Sequence, residues 1–468
     1  MSYTPNLARD EAEKIHASSL QVLEHTGIRT EHDEAAALLL DAGAVRDGED
    51  RILIPARLVE EAREKARAAS SEIQIYDRDG EPAMLLRNGD TYFGPGSDAL
   101  EIRDLDTDEI RPATAADVGT NVIVADAVGM DFVMTMALPR DLPHVYPTLY
   151  FEMVKHTTRP TVVTAADFDS LVQTYRIAEM IAGGEERLRH KPTLVAYVEP
   201  ISPLHLDEDG TDKLIFLAER GYPCLYAAGA NCAATAPVTI EGAVSQANAE
   251  FLAGMVVATL KNEHVPMVSG ASCSSMDMRT SGVCYGSPEW GRTVAMFAGM
   301  GEYYGLPSWG FAGGSDAVEP DFQAGMEAYE SVLLALQSGS TLVHDVAYLK
   351  RGYLYDPRML VLTKMMIDRA RQLLRPLRLD EESLAGSVID DVARRRDGID
   401  NFLSHTHTFE HFRDALWIPP RYWERGANHT RSLPERLTEV TKDIIATHQP
   451  PPLPDTTTAE VESFLRSL

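Results

Sequence analysis

From about residue 90 the chain repeats one order: a short apolar run rich in β-branched or aromatic residues, then a longer stretch with apolar residues at helical spacing. The short runs fall at 90–93, 130–135, 161–164, 193–198, 223–226, 266–269, 307–311 and 341–344. Helical patterns fill 114–128, 145–157, 168–182, 209–220, 239–261, 287–304 and 322–338, and 358–374 follows the last run. Thr114 with Asp117 reads as a capping box, and Thr239 as the cap of a helix that holds Glu241. Eight strand-then-helix units in series favour a closed (β/α)8 TIM barrel over an open doubly wound sheet. No G-x-G-x-x-G follows the first strand and there is no P-loop, which counts against a nucleotide-binding open sheet.

The flanks are patterned differently. Residues 8–26 place Ala12, Ile15, Leu20 and Leu23 at helical spacing before a Gly27 stop, and 33–43 and 55–69 also read as helices. In 73–110 the short β-like runs IQIY, TYFG and ALEIRDL are split by Asp-Gly and Asn-Gly turns. After 375 the strand-like runs stop. Residues 380–397 and 430–446 look helical, and the Pro-rich 448–456 precedes a last short helix. The pattern divides the chain into an N-terminal helical segment (1–72), a barrel catalytic domain (73–375) and a C-terminal helical extension packed on the barrel (376–468).

Composition narrows the class. The 468 residues, 44% of them hydrophobic, can build a large core. With 43 Lys and Arg against 71 Asp and Glu, the formal charge of −28 repels phosphate backbones and anionic lipid, so nucleic-acid and membrane partners are set aside. The same charge favours cationic ligands, although a solvated acidic surface accounts for it as well. Four cysteines without CxxC spacing suggest neither a disulfide scaffold nor a structural zinc site. The start of the sequence has no apolar signal core, and no run of ~18 apolar residues exists, so a reduced, cytoplasmic protein is expected.

In such a barrel the site lies at the C-terminal strand ends. That rule selects Tyr92, Phe93, Met134, Thr164, Tyr197 with Glu199, Tyr226, Ser269, Trp309 with Phe311, and His344 with Asp345. Aromatics and carboxylates without a lysine suit a cation held by ring faces; the same rings could equally pack the barrel mouth. His344 is expected to face the pocket and Asp345 to point away, as neighbours on a strand do. FGPGSDA (93–99) and FAGGSDA (311–317) share an aromatic, glycines and Ser-Asp-Ala; Asp98 and Asp316 argue against an anion cradle there. His405, His407 and His411 form H-x-H-x3-H, with the last two on one helix face, open to metal binding or to ordinary hydrogen bonding. Arg279 either pairs with Asp277 or takes a substrate carboxylate.

Taken together, FGPGSDA, AGANCAATAPVTIEGA (228–243), MDMRTSG…GSPE (276–289), AGGSDAVEPDFQAGMEA (312–328), LVHDVAYL (342–349) and NFLSHTHTFEHFRDALWIP (401–419) resemble the trimethylamine methyltransferase superfamily. The resemblance runs from about residue 8 to 468. It implies a barrel that moves a methyl group from a methylated amine to the cobalt of a separate small corrinoid-binding protein. No tightly bound cofactor and no metal are then expected in this chain. The founding members carry pyrrolysine. This sequence has only standard residues, so it resembles the branch without it, and quaternary amines such as glycine betaine become the expected substrates. The pyrrolysine position would fall within Ala317–Asp321. On this basis His344 is the expected catalytic residue, facing the incoming corrinoid. Tyr92, Phe93, Tyr197, Glu199, Tyr226, Trp309 and Phe311 are the expected pocket. Asp316 and Gln323 come from the family-like stretch, and Arg279 would take a betaine carboxylate. A homo-oligomer is expected. A non-catalytic betaine-binding barrel and a metal-dependent hydrolase built on the late histidines are the competing readings.

Overall fold

The computed structural model describes residues 7–140, 142–394, 401–423 and 431–468. Its centre is a ring of eight staves, one for each of the eight apolar runs; among the described residues seven are parallel strands and the eighth, 131–136, is joined through a bridge at Val133. Thr161–Val163 pairs with Leu194–Val198, that strand with Cys224–Asn231, and that one with Met267–Asp277. Ser269 bridges to Ser308 at the head of Trp309–Phe311, which pairs with Leu342–Val346, and that strand with Tyr92–Pro95. The ring closes through 131–136: Val133 bridges to Thr161, and the Asp131 amide donates to the Phe93 carbonyl at 2.9 Å. The barrel class shown by the repeat is therefore the observed one.

The helices that follow the strands are Ala115–Val128, Val145–Lys155, Phe168–Ala182, Glu208–Arg220, Ile240–Lys261, Pro288–Tyr304, Phe322–Ser338 and Pro357–Leu373. Their starts are set by short polar side chains. Asp167, Asp207, Ser287, Asp321 and Asp356 each accept from an amide of the first turn. Ile240–Lys261 is apolar on all sides because it is covered twice. One face lies on the barrel and the other on the N-terminal helices Arg9–Gln21, Asp33–Asp41 and Ala56–Ser70.

A hairpin, Ile73–Tyr76 with Pro82–Leu86, stoppers the N-terminal end of the barrel. Ile73, Ile75, Met84 and Leu86 pack with Phe132, Val162, Val195, Leu225, Val268 and Leu342 in the barrel interior. The opposite end carries a four-stranded sheet made by excursions after the first and last barrel strands: Glu101–Arg103, Ile110–Pro112, Tyr348–Leu349 and Leu354–Tyr355.

The flanks hold two departures from the sequence pattern. The N-terminal segment is not purely helical: Ile28–Thr30, Val45–Asp47 and Arg51–Leu53 form a small sheet with His205–Leu206. Three-residue strands carry too few alternations to show in a sequence. The helix expected over 380–397 breaks at Ala385, whose φ of 51° is left-handed, into Glu381–Leu384 and Gly386–Ala393; its last residues, 395–397, lie outside the described ones. The helix expected over 430–446 is Leu433–Thr447, with 430 outside the described residues, and it packs on Pro357–Leu373 and Ala115–Val128. Asp455–Ser467 closes the chain against Phe168–Ala182. Among the described residues no helix is long and apolar enough to cross a membrane.

Candidate active site

All eight strand ends open into one cavity of about 1000 Å³. In strand order its wall takes Ser97 and Asp98, Met134, Thr164, Tyr197 and Glu199, Gly229 and Ala230, Ser272 and Ser274, Phe311, then His344 and Asp345. Tyr146, Tyr285, Trp290, Tyr348 and Arg351 are added by the loops and helices above. The hairpin below makes it a blind tube.

Of the five carboxyls that line this space, Asp207 caps helix Glu208–Arg220 and Asp209 pairs with Lys213, which leaves three at the strand ends. Asp98 has a left-handed φ of 66° and accepts from Thr135 Oγ1 at 3.3 Å and Thr164 Oγ1 at 3.2 Å. Glu199 lies open to the cavity and accepts from the Tyr197 hydroxyl. Asp345 is 3% exposed, and its Oδ2 has no hydrogen-bond partner. Desolvation pushes all three pKa values up, most strongly that of Asp345, and the nearby Asp98 adds to the rise at Glu199. Enclosure also keeps the Tyr197, Tyr285 and Tyr348 phenols protonated, and the Tyr348 hydroxyl is likewise without a partner.

His344 forms part of the floor. Its Nδ1–H donates to the Gly310 carbonyl at 3.1 Å, which leaves Nε2 as an acceptor 3.3 Å from Asp345 Oδ1. Burial lowers its pKa to about 3, so the ring is neutral. The Trp309 and Phe311 rings lie 4.1 and 4.3 Å from the His344 ring, centroid to centroid, and fix its tilt. Asp345 does not point away as strand alternation demands. Its φ of 72° breaks the extended backbone, and both neighbours face the cavity.

Of the residues singled out in the sequence, Asp98, Met134, Thr164, Tyr197, Glu199, Phe311, His344 and Asp345 line the cavity together. Trp309 lies beneath it, fully buried, with its ring against Tyr197 and His344. The others sit elsewhere. Tyr92 is the first residue of its strand, and its hydroxyl meets the Leu85 backbone at the plugged end. Phe93 points outward under the Arg371 guanidinium. Tyr226 also points outward, into a notch that Gly254 leaves on helix Ile240–Lys261; a Cβ there would lie 2.1 Å from the tyrosine ring. Arg279 is 91% exposed and pairs with Asp277. Gln323 is exposed and donates to Glu327. Asp316 accepts from the amides of Tyr285 and Gly286 at 2.7 and 3.2 Å, so it holds the loop that delivers Tyr285 rather than facing the cavity itself. None of residues 317–321 lines the cavity.

Of the late histidines, His407 and His411 share a helix face with ring centroids 4.4 Å apart, and His405 is turned to the helix start. His405 caps helix Thr406–Ala415 by accepting from the His407 amide, while His411 approaches Glu382 at 3.4 Å. Among the described residues no group of three or more His, Cys, Asp or Glu is placed to hold a metal ion. Sequence reasoning passed over Tyr285, Trp290, Tyr348 and Arg351. The first two were legible only as aromatics in the Met-, Ser- and Gly-rich 274–290 stretch. Their rings meet edge to face at 4.2 Å, and Trp290 continues to Phe311 at 5.3 Å.

A deep cavity walled by rings and carboxyls can hold a cation by its face contacts and orient it. Known proteins place the chain consistently. It is 28% identical to trimethylamine methyltransferase MttB of Desulfitobacterium hafniense (strain DSM 10664 / DCB-2), over 97% of this chain and 92% of that protein. It is 25% identical to glycine betaine methyltransferase of Desulfitobacterium hafniense (strain Y51), over 98% of this chain and 96% of that protein. The crystal structure of the Methanosarcina barkeri monomethylamine methyltransferase MtmB superposes with a TM-score of 0.53 at 12% identity, covering 100% of this chain and 89% of that one, a likeness of fold. The sequence profile of the trimethylamine methyltransferase (MTTB) family matches residues 2–467, and the chain belongs to that family.

Proposed function

We propose that this protein transfers a methyl group from a quaternary amine to the Co(I) of a corrinoid carried by a small partner protein. The observation that carries the reading is the cavity wall: in a chain of this family, Tyr197, Tyr285, Phe311 and Tyr348 surround a space into which Asp98, Glu199 and Asp345 also look. A quaternary nitrogen carries its leaving-group activation as positive charge. The cobalt electron pair forms the new bond to carbon while the C–N pair returns to nitrogen, releasing a neutral tertiary amine without any proton transfer.

The protein's task is therefore to desolvate and aim. Ring faces contribute roughly 0.5–2 kcal/mol each to a desolvated cation. A bound cation also favours the ionised forms of Asp98, Glu199 and Asp345, offsetting the desolvation that pushes their pKa values up. Binding must stay moderate, because charge at nitrogen falls on the way to the transition state. Holding one methyl in line with the mouth contributes on the order of several kcal/mol more. Neutral His344, held to the Gly310 carbonyl and 3.3 Å from Asp345, gives that floor a fixed shape.

The reading is tested under strict anoxia by absorbance. Purified protein is mixed with cob(I)alamin, or with a reduced cognate corrinoid protein, and given glycine betaine, proline betaine, carnitine, γ-butyrobetaine, choline or trimethylamine. Loss of the cob(I)alamin band with growth of methylcobalamin for a quaternary amine is the expected result. Silence across the panel with both acceptors would overturn it.

A further inference from the structure

The cavity is acidic at every level but one. Two of its lining residues are cations, Lys213 and Arg351. Lys213 is committed: its Nζ donates to the Ala165 carbonyl at 2.9 Å and pairs with Asp209 at 2.5 Å. Arg351 is not. Among the described residues its guanidinium has no hydrogen bond and no ion pair. The carboxylate of Asp316, close enough to feel its charge, is already spent on the Tyr285 and Gly286 amides.

The backbone presents that side chain at the mouth by construction. Arg351 sits in the left-handed region, with φ 62° and ψ 39°, between Lys350 and Gly352, which are left-handed too. The loop is pinned on both sides: the Lys350 amide donates to Ala317 at 2.8 Å and the Lys350 ammonium pairs with Glu101 at 2.7 Å, while the Arg351 amide reaches Ser315. Opposite, Gly282 leaves the space the guanidinium fills, since a Cβ there would stand 2.1 Å from Nη1. A planar, permanently charged fork without a protein partner, at the rim of a cavity with carboxyls and rings below, matches a carboxylate in bidentate fashion.

We propose that Arg351 is the specificity residue for an anionic group of the substrate, and that the substrate is a zwitterion: a quaternary ammonium on the ring-and-carboxyl wall with a carboxylate at the rim. This rests on the quaternary-amine reading above and replaces Arg279, which faces solvent, in the role of carboxylate contact. An arginine here also disfavours choline and trimethylammonium, whose only charge would be repelled on entry.

Titration calorimetry on the full-length protein tests this with glycine betaine, γ-butyrobetaine and choline as probes, each followed by the anoxic methyl-transfer assay. Wild type is expected to bind one of the betaines at least tenfold more tightly than choline. Arg351→Gln should lose that betaine affinity by tenfold or more while its choline affinity stays within threefold; Arg351→Lys should recover part of the preference. Gly282→Ala, which displaces the guanidinium without removing it, should follow Arg351→Gln. Equal losses for betaine and choline in Arg351→Gln, no loss for either, or a wild type that prefers choline would each overturn the proposal. The two readings fail separately. A wild type that binds a betaine through Arg351 and transfers no methyl sinks the reaction alone. Methyl transfer from a betaine whose affinity and rate Arg351→Gln leaves unchanged sinks the arginine alone.

Discussion

Asp345 carries three liabilities at once: a left-handed backbone, an enclosed carboxyl and an unpartnered Oδ2. Concentrated strain of this kind is stable only when the surrounding structure holds it, and it gathers at working sites. Asp345→Asn keeps the shape, and asparagine tolerates left-handed backbone well. The substitution is expected to stabilise the empty protein by about 1 kcal/mol or more at neutral pH, raising Tm by ~1–3 °C. It should also weaken substrate binding. The sign with pH follows from the raised carboxyl. Above the unfolded-state pKa the unfolded chain releases the proton that the folded chain keeps, so wild type loses stability as pH rises toward the folded value. The advantage of the asparagine variant should accordingly grow from pH 5 to pH 8 in thermal melts. At this scale the sequence was only half readable. A rule that picks strand ends finds Tyr197, Glu199 and His344, but it cannot say which face a residue takes or where a strand really stops. Tyr226 stood at the end of a bulky run, yet the strand continues as Ala-Ala-Gly-Ala-Asn to Asn231, and small residues there hid its length. The cavity wall is three and four residues farther on, at Gly229 and Ala230.

At the scale of elements, the alternation of short apolar runs with helical patterns was enough to place all eight staves and the helices between them, because the two kinds of run follow each other at regular spacing and five of the helices begin at a capping side chain. Elements without a period of their own did not show. The sheet at the mouth is stitched from two- and three-residue strands, and its two halves join through Glu101 and Leu354, far apart in sequence. The hairpin at the other end was visible as strands but not as a stopper, since nothing local marks what a hairpin packs against. Its side chains now define a clean separation of stability from function. Ile75 is fully buried among the lower barrel residues and shares no contact with the cavity. Ile75→Ala should cost about 2–5 kcal/mol in denaturant unfolding, as large-to-small core changes do. Betaine affinity of the folded fraction should be unchanged; a matching loss of affinity would mean that the stopper also shapes the floor.

For the whole molecule the stopper has a kinetic meaning. A barrel closed at one end has a single doorway, and the small amine and the bulky methyl acceptor must share it. The amine has to enter first, the acceptor then stands in the doorway during transfer, and the demethylated amine waits behind it until it steps aside. An acceptor that docks on an empty barrel bars the amine altogether. Initial rates measured against rising corrinoid protein, at an amine concentration near half-saturation, should therefore climb to a maximum and then fall, with the maximum shifting upward as amine is added. A plain hyperbola at all amine concentrations would mean a second way in. The hairpin of Ile73–Tyr76 and Pro82–Leu86 thus sets the order of a queue some distance from any atom that reacts.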